Sequence, residues 1–118
     1  MQQPDSTDEL PVWDQAAAVR SVGDLGLARR LLAQLCAGLP DDLAALRRLH
    51  AAGELTELAE RAHHVSGGAA YCGVTALRAS LKTLEQRARA GDAADSAAAL
   101  QALAVQIERL LAHLRALD

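Results

Sequence analysis

Phenylalanine is absent from this 118-residue chain, and Trp13 and Tyr71 are its only aromatic residues. Half of the residues are nonetheless hydrophobic (51%), so the core must be assembled from Leu, Ala and Val. That supply suits closely spaced helices better than a sheet, which draws on β-branched and aromatic side chains. It also speaks against a deep apolar pocket for a large cofactor. No apolar run approaches the roughly 18 residues a membrane span needs, and the N-terminus has no charged-then-apolar signal pattern. An excess of one charge is lacking as well: the net charge is −3, with acidic and basic residues interspersed. A nucleic-acid surface would need a basic excess or stripe, so none is expected. Cys36 and Cys72, the two cysteines, lie in separate apolar contexts without a pairing motif, which points to buried free thiols in a reducing compartment. No strand alternation, dinucleotide-binding glycine fingerprint, P-loop or metal-binding Cys spacing occurs. The expectation is a cytoplasmic domain with no metal or cofactor of its own, free-standing or as the cytoplasmic part of a membrane-bound protein.

What is present is helical periodicity. Residues 1–9 are polar and apolar-poor and are expected to form a disordered linker, leaving residues 10–118 as one domain. Order begins at Leu10-Pro11-Val12-Trp13, with Trp13 expected to plug one end of the fold. A short helix follows over Asp14–Arg20, closed by Gly23. Asp24 is a good N-cap for the apolar series Leu27, Leu31, Leu35, Leu39, Leu43, Leu46 and Leu49. Pro40 interrupts this series without breaking its phase, which predicts one kinked helix ending at Gly53. A third helix starts near Glu54, carries Leu55, Leu58, Ala62, Val65 and Ala69 on one face, and is expected to run to about Cys72, where Gly73 breaks it. Val74, Leu77, Leu81, Leu84 and Ala88 mark a fourth, closed by Gly91. The last starts near Asp95 and carries Leu100, Leu103, Ile107, Leu110, Leu114 and Leu117. Repeats of three and four residues mark amphipathic helices facing a shared core, and short connections make sequence neighbours antiparallel. The predicted fold is all-α: an antiparallel up-down four-helix bundle with a short extra N-terminal helix.

Packing does not explain one stretch, Ala62-His63-His64-Val65-Ser66-Gly67-Gly68-Ala69-Ala70-Tyr71-Cys72-Gly73. Two imidazoles precede two glycines, and each Gly costs a helix interior roughly 0.5–1 kcal/mol relative to Ala. At about 100° per residue, His63 falls on the flank of the apolar sector while His64 points away from it. One turn beyond His63 is Gly67, and one turn beyond His64 is Gly68, so each ring overlooks bare backbone. A flank imidazole can lean on the bundle, anchor one nitrogen and present the other to solvent. Taken alone, these residues also fit a solvated surface histidine followed by a helix end. His50 and His113 have unexceptional surroundings and are expected to be surface residues. Adjacent His63 and His64 diverge too far to ligate one metal ion with Cys72, and no Ser or Cys nucleophile is set against an acid-oriented His.

Ala62-His63-x-Val65-x-Gly67, with Gly73 ten residues past His63 and Leu84-Glu85 further on, resembles the signature of histidine-containing phosphotransfer (HPt) domains. Tyr71-Cys72-Gly73-Val74 and the upstream Leu10-Pro11-Val12 are especially similar to the C-terminal HPt domains of BarA/GacS-type hybrid sensor kinases. The likeness spans Leu10 to the end of the chain. The family pattern has an apolar residue two after the phosphorylated His and a Gly four after it. Val65 and Gly67 satisfy both from His63, whereas His64 would be followed by Ser66 and Gly68, so His63 is the expected phosphorylation site.

That resemblance implies a carrier rather than a kinase in a two-component phosphorelay. His63 would take a phosphoryl group from a receiver-domain aspartate and hand it to another receiver. Receivers are the implied partners, with Mg²⁺ expected on the receiver and none on this chain, which would act as a monomer. The docking surface around His63 would comprise Glu60, His64, Ser66, Gly67, Gly68, Ala70 and Tyr71. Many family members carry Lys three residues after the His, where this chain has Ser66, leaving Arg78 or Lys82 as possible sources of charge. Two other readings remain: an adaptor that binds receivers without carrying phosphate, and a dimerisation bundle using the apolar run Leu110-Leu111-Ala112.

Overall fold

Three aspartates start helices by the same device. Asp14, Asp24 and Asp92 sit in extended backbone, and their carboxylates accept hydrogen bonds from the main-chain N–H of Ala17 (2.9 Å), Leu27 (2.8 Å) and Asp95 (2.8 Å). Each such cap stabilises its helix by about 1 kcal/mol. The computed structural model describes residues 10–117 and contains α1 (Gln15–Val22), α2 (Leu25–Ala51), α3 (Leu55–Gly68), α4 (Thr75–Arg89) and α5 (Ala93–Ala116). The linker expected over residues 1–9 lies outside the described residues. No strand is present among them, and no helix is long and apolar enough to cross a membrane.

The helices α2, α3, α4 and α5 form a closed ring in which each packs on two neighbours, with α1 laid against α2. Two bonds fix α2 antiparallel to α5. At one end His50 Nε2 donates to the Ala93 carbonyl (2.9 Å); at the other Arg29 donates to the Leu117 carbonyl (3.0 Å). His50 is therefore a structural clasp rather than the plain surface residue expected. His113 is likewise half-buried, its ring centroid 6.1 Å from that of Trp13 in an edge-on arrangement.

Leucines fill the interior, with Leu32, Leu39, Leu46, Leu58, Leu77, Leu81, Leu84, Leu103 and Leu110 all fully buried. Ala59, Ala62, Ala69 and Ala88 are also buried, so helices approach closely with no aromatic side chain between them. The expected stripe of α2 is displaced in its first half. Ala28, Leu32 and Cys36 are the innermost residues there, while Leu27, Leu31 and Leu35 are half-buried at its edge. Small side chains at 28 and 36 let α2 sit close, and that closeness chooses the row. Helix α2 runs unbroken through Pro40, which lies on the exposed side. Only the bond that a main-chain N–H there would have given to the Cys36 carbonyl is lost.

Trp13 does plug one end. It is buried, and its indole N–H donates to the Cys72 carbonyl (2.8 Å). Beside it the Asp14 N–H donates to the Gly73 carbonyl (2.8 Å) and the Ala76 N–H to the Pro11 carbonyl (3.2 Å). The segment before α1 thus clamps the α3–α4 turn. Both cysteines are buried free thiols. Burial pushes the Cys36 thiol up to about 11, with a further contribution from nearby Cys72, and raises Cys72 as well.

Candidate functional site

The buried face of α3 is Leu58, Ala59, Ala62 and Val65, which leaves residue 63 on the flank that adjoins α4. The His63 side chain is 71% exposed, yet its ring is not free to turn. Its Nδ1 lies 3.2 Å from Glu85 Oε1 on α4. Glu85, only 18% exposed, is in turn held by Arg89, whose Nε and Nη2 both reach Oε2 (3.0 and 2.9 Å). Burial works to raise the Glu85 carboxyl, but the hydrogen bonds from Arg89 and His63 and their charges outweigh it. The carboxyl is held below its usual range. An ionised carboxylate can only accept, so Nδ1 must carry the hydrogen, and Nε2 of the neutral ring keeps its lone pair. Nε2 has no hydrogen-bond partner among the described residues. The result is one anchored nitrogen and one left open to solvent.

A groove of about 470 Å³ runs between α3 and α4, lined by His63, Ser66, Arg78, Ala79, Lys82 and Glu85. Its lining includes both cations that the sequence could only nominate. His64 is exposed too but borders a separate groove of about 380 Å³ on the α2 side of α3, together with Gln34, Arg61, Asp42 and Gly68. Arg61 and Asp42 pair across that groove at 3.0 Å. The two adjacent imidazoles thus serve opposite flanks of one helix.

The glycines correct one expectation. Helix α3 does not continue to Cys72; it ends at Gly68, and residues 69–73 form tight turns. The Ala69 N–H is shared between the Val65 and Ser66 carbonyls, Ala70 bonds back to Gly67, and Cys72 to Ala69. These shorter loops tighten the chain before Gly73, at φ +73°, reverses it. Gly67 and Gly68 therefore occupy the last turn, where a glycine costs less than in a helix interior. Neither has a positive φ, and a Cβ added at either would meet nothing within 4 Å. Gly73 differs: a Cβ there would fall 2.5 Å from the Asp14 carbonyl oxygen. So Gly73 is required by the fold, and the pair beside His63 is not.

The other nominated residues surround this point unevenly. Glu60 is exposed on α3, and Tyr71 is 65% exposed on the turn below the glycines. Ala70 is half-buried and edges a hollow of about 200 Å³ shared with Ala17 and Ser21 of α1. Glu85 is the residue that sequence reasoning left without a role, although it stood in the Leu84-Glu85 pair. The available signal was Glu85 and Arg89 spaced i, i+4 on the flank of α4 next to buried Leu84. Among the described residues no group of three or more His, Cys, Asp or Glu side chains is placed to hold a metal ion.

Comparison with known proteins gives two findings. The family model described as Hpt domain matches residues 30–117. The sensor histidine kinase GacS of Pseudomonas protegens is 37% identical over 115 residues, which cover 97% of this chain and 12% of that protein. The chain thus spans about an eighth of the length of that relative. No solved structure gives a significant match.

Proposed function

Because the chain belongs to the Hpt domain family, a family of phosphorelay carriers rather than ATP-binding kinases, we propose that His63 is its phosphorylated residue. In this reading His63 accepts a phosphoryl group from the aspartyl phosphate of one receiver domain and passes it to the aspartate of another. The observation that carries it is the His63 ring: exposed, fixed through Nδ1 on Glu85, and free at Nε2.

The chemistry follows from that tautomer. Nε2 attacks phosphorus in line, an N–P bond forms, and the P–O bond to the receiver aspartate breaks, its electron pair leaving on the carboxylate. No proton has to move. The ring becomes a cation that keeps its Nδ1 hydrogen on Glu85, whose negative charge opposes the positive charge that develops. Return transfer runs the same step backward and regenerates the neutral ring. Mg²⁺ belongs to the receiver. Bare backbone at Gly67 and Gly68 lets the rim of a concave receiver site close around the ring.

Leu110 is buried and Leu111 packs against the core, while Ala112 is exposed, so little of the apolar run on α5 is left to support a dimerisation bundle. Monomeric behaviour is expected on size exclusion. The direct test is incubation with a ³²P-labelled phospho-receiver. The expected product carries acid-labile, alkali-stable label that His63→Gln abolishes and His64→Gln retains. The reverse pattern would move the site to His64. A wild-type chain that binds the receiver but takes no label would be an adaptor.

A further inference from the structure

Phosphorylated His63 has an electrostatic problem on its own chain. The phosphoryl oxygens carry about two negative charges, and the Glu85 carboxylate already sits 3.2 Å from the other nitrogen of the same ring. Glu85 favours the cationic ring but repels the group attached to it, so a cation on the phosphoryl side is required. Ser66, in the groove beside His63, carries no charge.

Most nearby cations are already engaged. Arg89 is bound to Glu85, Arg61 pairs with Asp42 across the opposite groove, and Arg87 pairs with Asp95 at 3.4 Å. Arg78 and Lys82 remain. Both are exposed, both line the His63 groove, and neither has an ion-pair or hydrogen-bond partner among the described residues. Their spacing of four residues, with Glu85 three further on, sets Arg78, Lys82 and Glu85 along one face of α4. Unpaired, a solvated Arg and Lys cost the fold nothing, and their long stems let both heads swing over the groove.

We propose that Arg78 and Lys82 form the phosphoryl-binding site of this chain, closing on the oxygens of the group once it is attached to Nε2 of His63. The proposal rests on the phosphocarrier reading of His63. The binding site is then built across two helices: α3 supplies the nucleophile, and α4 supplies both the anchor for the ring and the counter-charge for its cargo. It predicts that this chain stabilises its phosphorylated state without help from a receiver.

The test needs no partner protein. Full-length chain is treated with phosphoramidate, a small anionic phosphodonor, and phosphohistidine is followed by ³¹P NMR and mass spectrometry. Wild type is expected to take the group on His63. Arg78→Met and Lys82→Met keep helix-favouring side chains, and each should slow labelling roughly two- to fivefold, with the double variant about tenfold slower, the difference shrinking in high salt. In the double variant the second ionisation of the phosphoryl group should move to higher pH, a shift that a purely structural role would not produce. Lys82→Arg should restore most of the rate. Arg47→Met, which removes the same charge from the exposed surface of α2, should change neither readout. A double variant with the wild-type rate and the wild-type ³¹P titration overturns the proposal and leaves the His63 assignment standing. Wild type that takes no label on His63 overturns the assignment itself.

Discussion

Replacing Gly67 or Gly68 by Leu should separate folding from docking, with the two readouts moving in opposite directions. Both glycines lie in the last turn of α3, have no positive φ, and would place a new Cβ in open space. Leu is a better helix former, so the fold should gain on the order of 0.5 kcal/mol, half of a full interior Gly penalty. For a domain of this size that is a rise in melting temperature of roughly 2 °C. At position 67 the new side chain stands one turn beyond His63 and at position 68 one turn beyond His64, both where a receiver would close in the proposed reading. Forcing extra methylenes into a fitted contact costs about 1–3 kcal/mol, or roughly 5- to 150-fold in transfer rate. Gly73→Ala is the counterpart. Its φ of +73° costs a non-glycine residue roughly 1–2 kcal/mol, and its Cβ would press on the Asp14 carbonyl oxygen at 2.5 Å. That variant should melt several degrees lower, while what remains folded transfers normally. Circular dichroism melts and quench-flow transfer from a phospho-receiver read the two axes. Wild-type transfer in Gly67→Leu refutes the open-backbone account, and destabilisation of Gly67→Leu would show that the pair is structural after all.

Three further outcomes follow from the same geometry. The Glu85 carboxyl is lowered in the fold by Arg89 and His63 despite the opposing effect of burial, so its stabilising contribution is present above the ordinary carboxylate range and lost as pH falls through the depressed value. Urea midpoints at pH 7 and pH 3 should therefore differ less in Glu85→Gln than in wild type; an equal difference would remove the Glu85 contribution. Trp13→Phe leaves the buried Cys72 carbonyl without its 2.8 Å donor and should cost about 1–3 kcal/mol in urea unfolding. Cys36, raised to about 11, and Cys72, also raised, should resist iodoacetamide at pH 8 in the folded chain and react once it is unfolded.

Legibility varied with the kind of interaction that decides each residue. Helix count, connection points and most buried positions follow from local spacing, because a leucine every three or four residues has to face a common interior. Ala88 and Leu103 are buried as their periodicity demands. Phase was harder wherever apolar residues are dense. On α2 the Leu27, Leu31 and Leu35 row and the Ala28, Leu32 and Cys36 row are adjacent, and only the closeness of the neighbouring helices chooses between them. Ala93, the first residue of α5, precedes the expected start because Asp92, rather than Asp95, has the cap geometry. The end of α3 was misplaced because glycines give no sharp stop of their own; the tightened turn and the clamp from Trp13 and Asp14 set it.

Within the candidate site, the preference for His63 over His64 rested on the resemblance, whose pattern Val65 and Gly67 match from His63. The prospect of an anchored ring with one free nitrogen was legible, since it needs only a flank position on a helix. The identity of the anchor was not. Glu85 is 22 residues away from His63, and nothing in the chain between them says which side chain of α4 will face it. His50 and His113 were unreadable for the same reason, since their partners, Ala93 and Trp13, lie on other elements.

By itself the sequence determined that this protein is a leucine- and alanine-cored helical bundle, and that two adjacent histidines each overlook a glycine one turn on. Both are consequences of periodicity and of side-chain volume, which act over one or two turns. Only the tertiary structure decided which ring nitrogen is available and where the free positive charge lies. Hydrogen bonds and charge pairs between α3 and α4 depend on how two helices are rotated against each other, and that rotation is settled by the packing of the whole core.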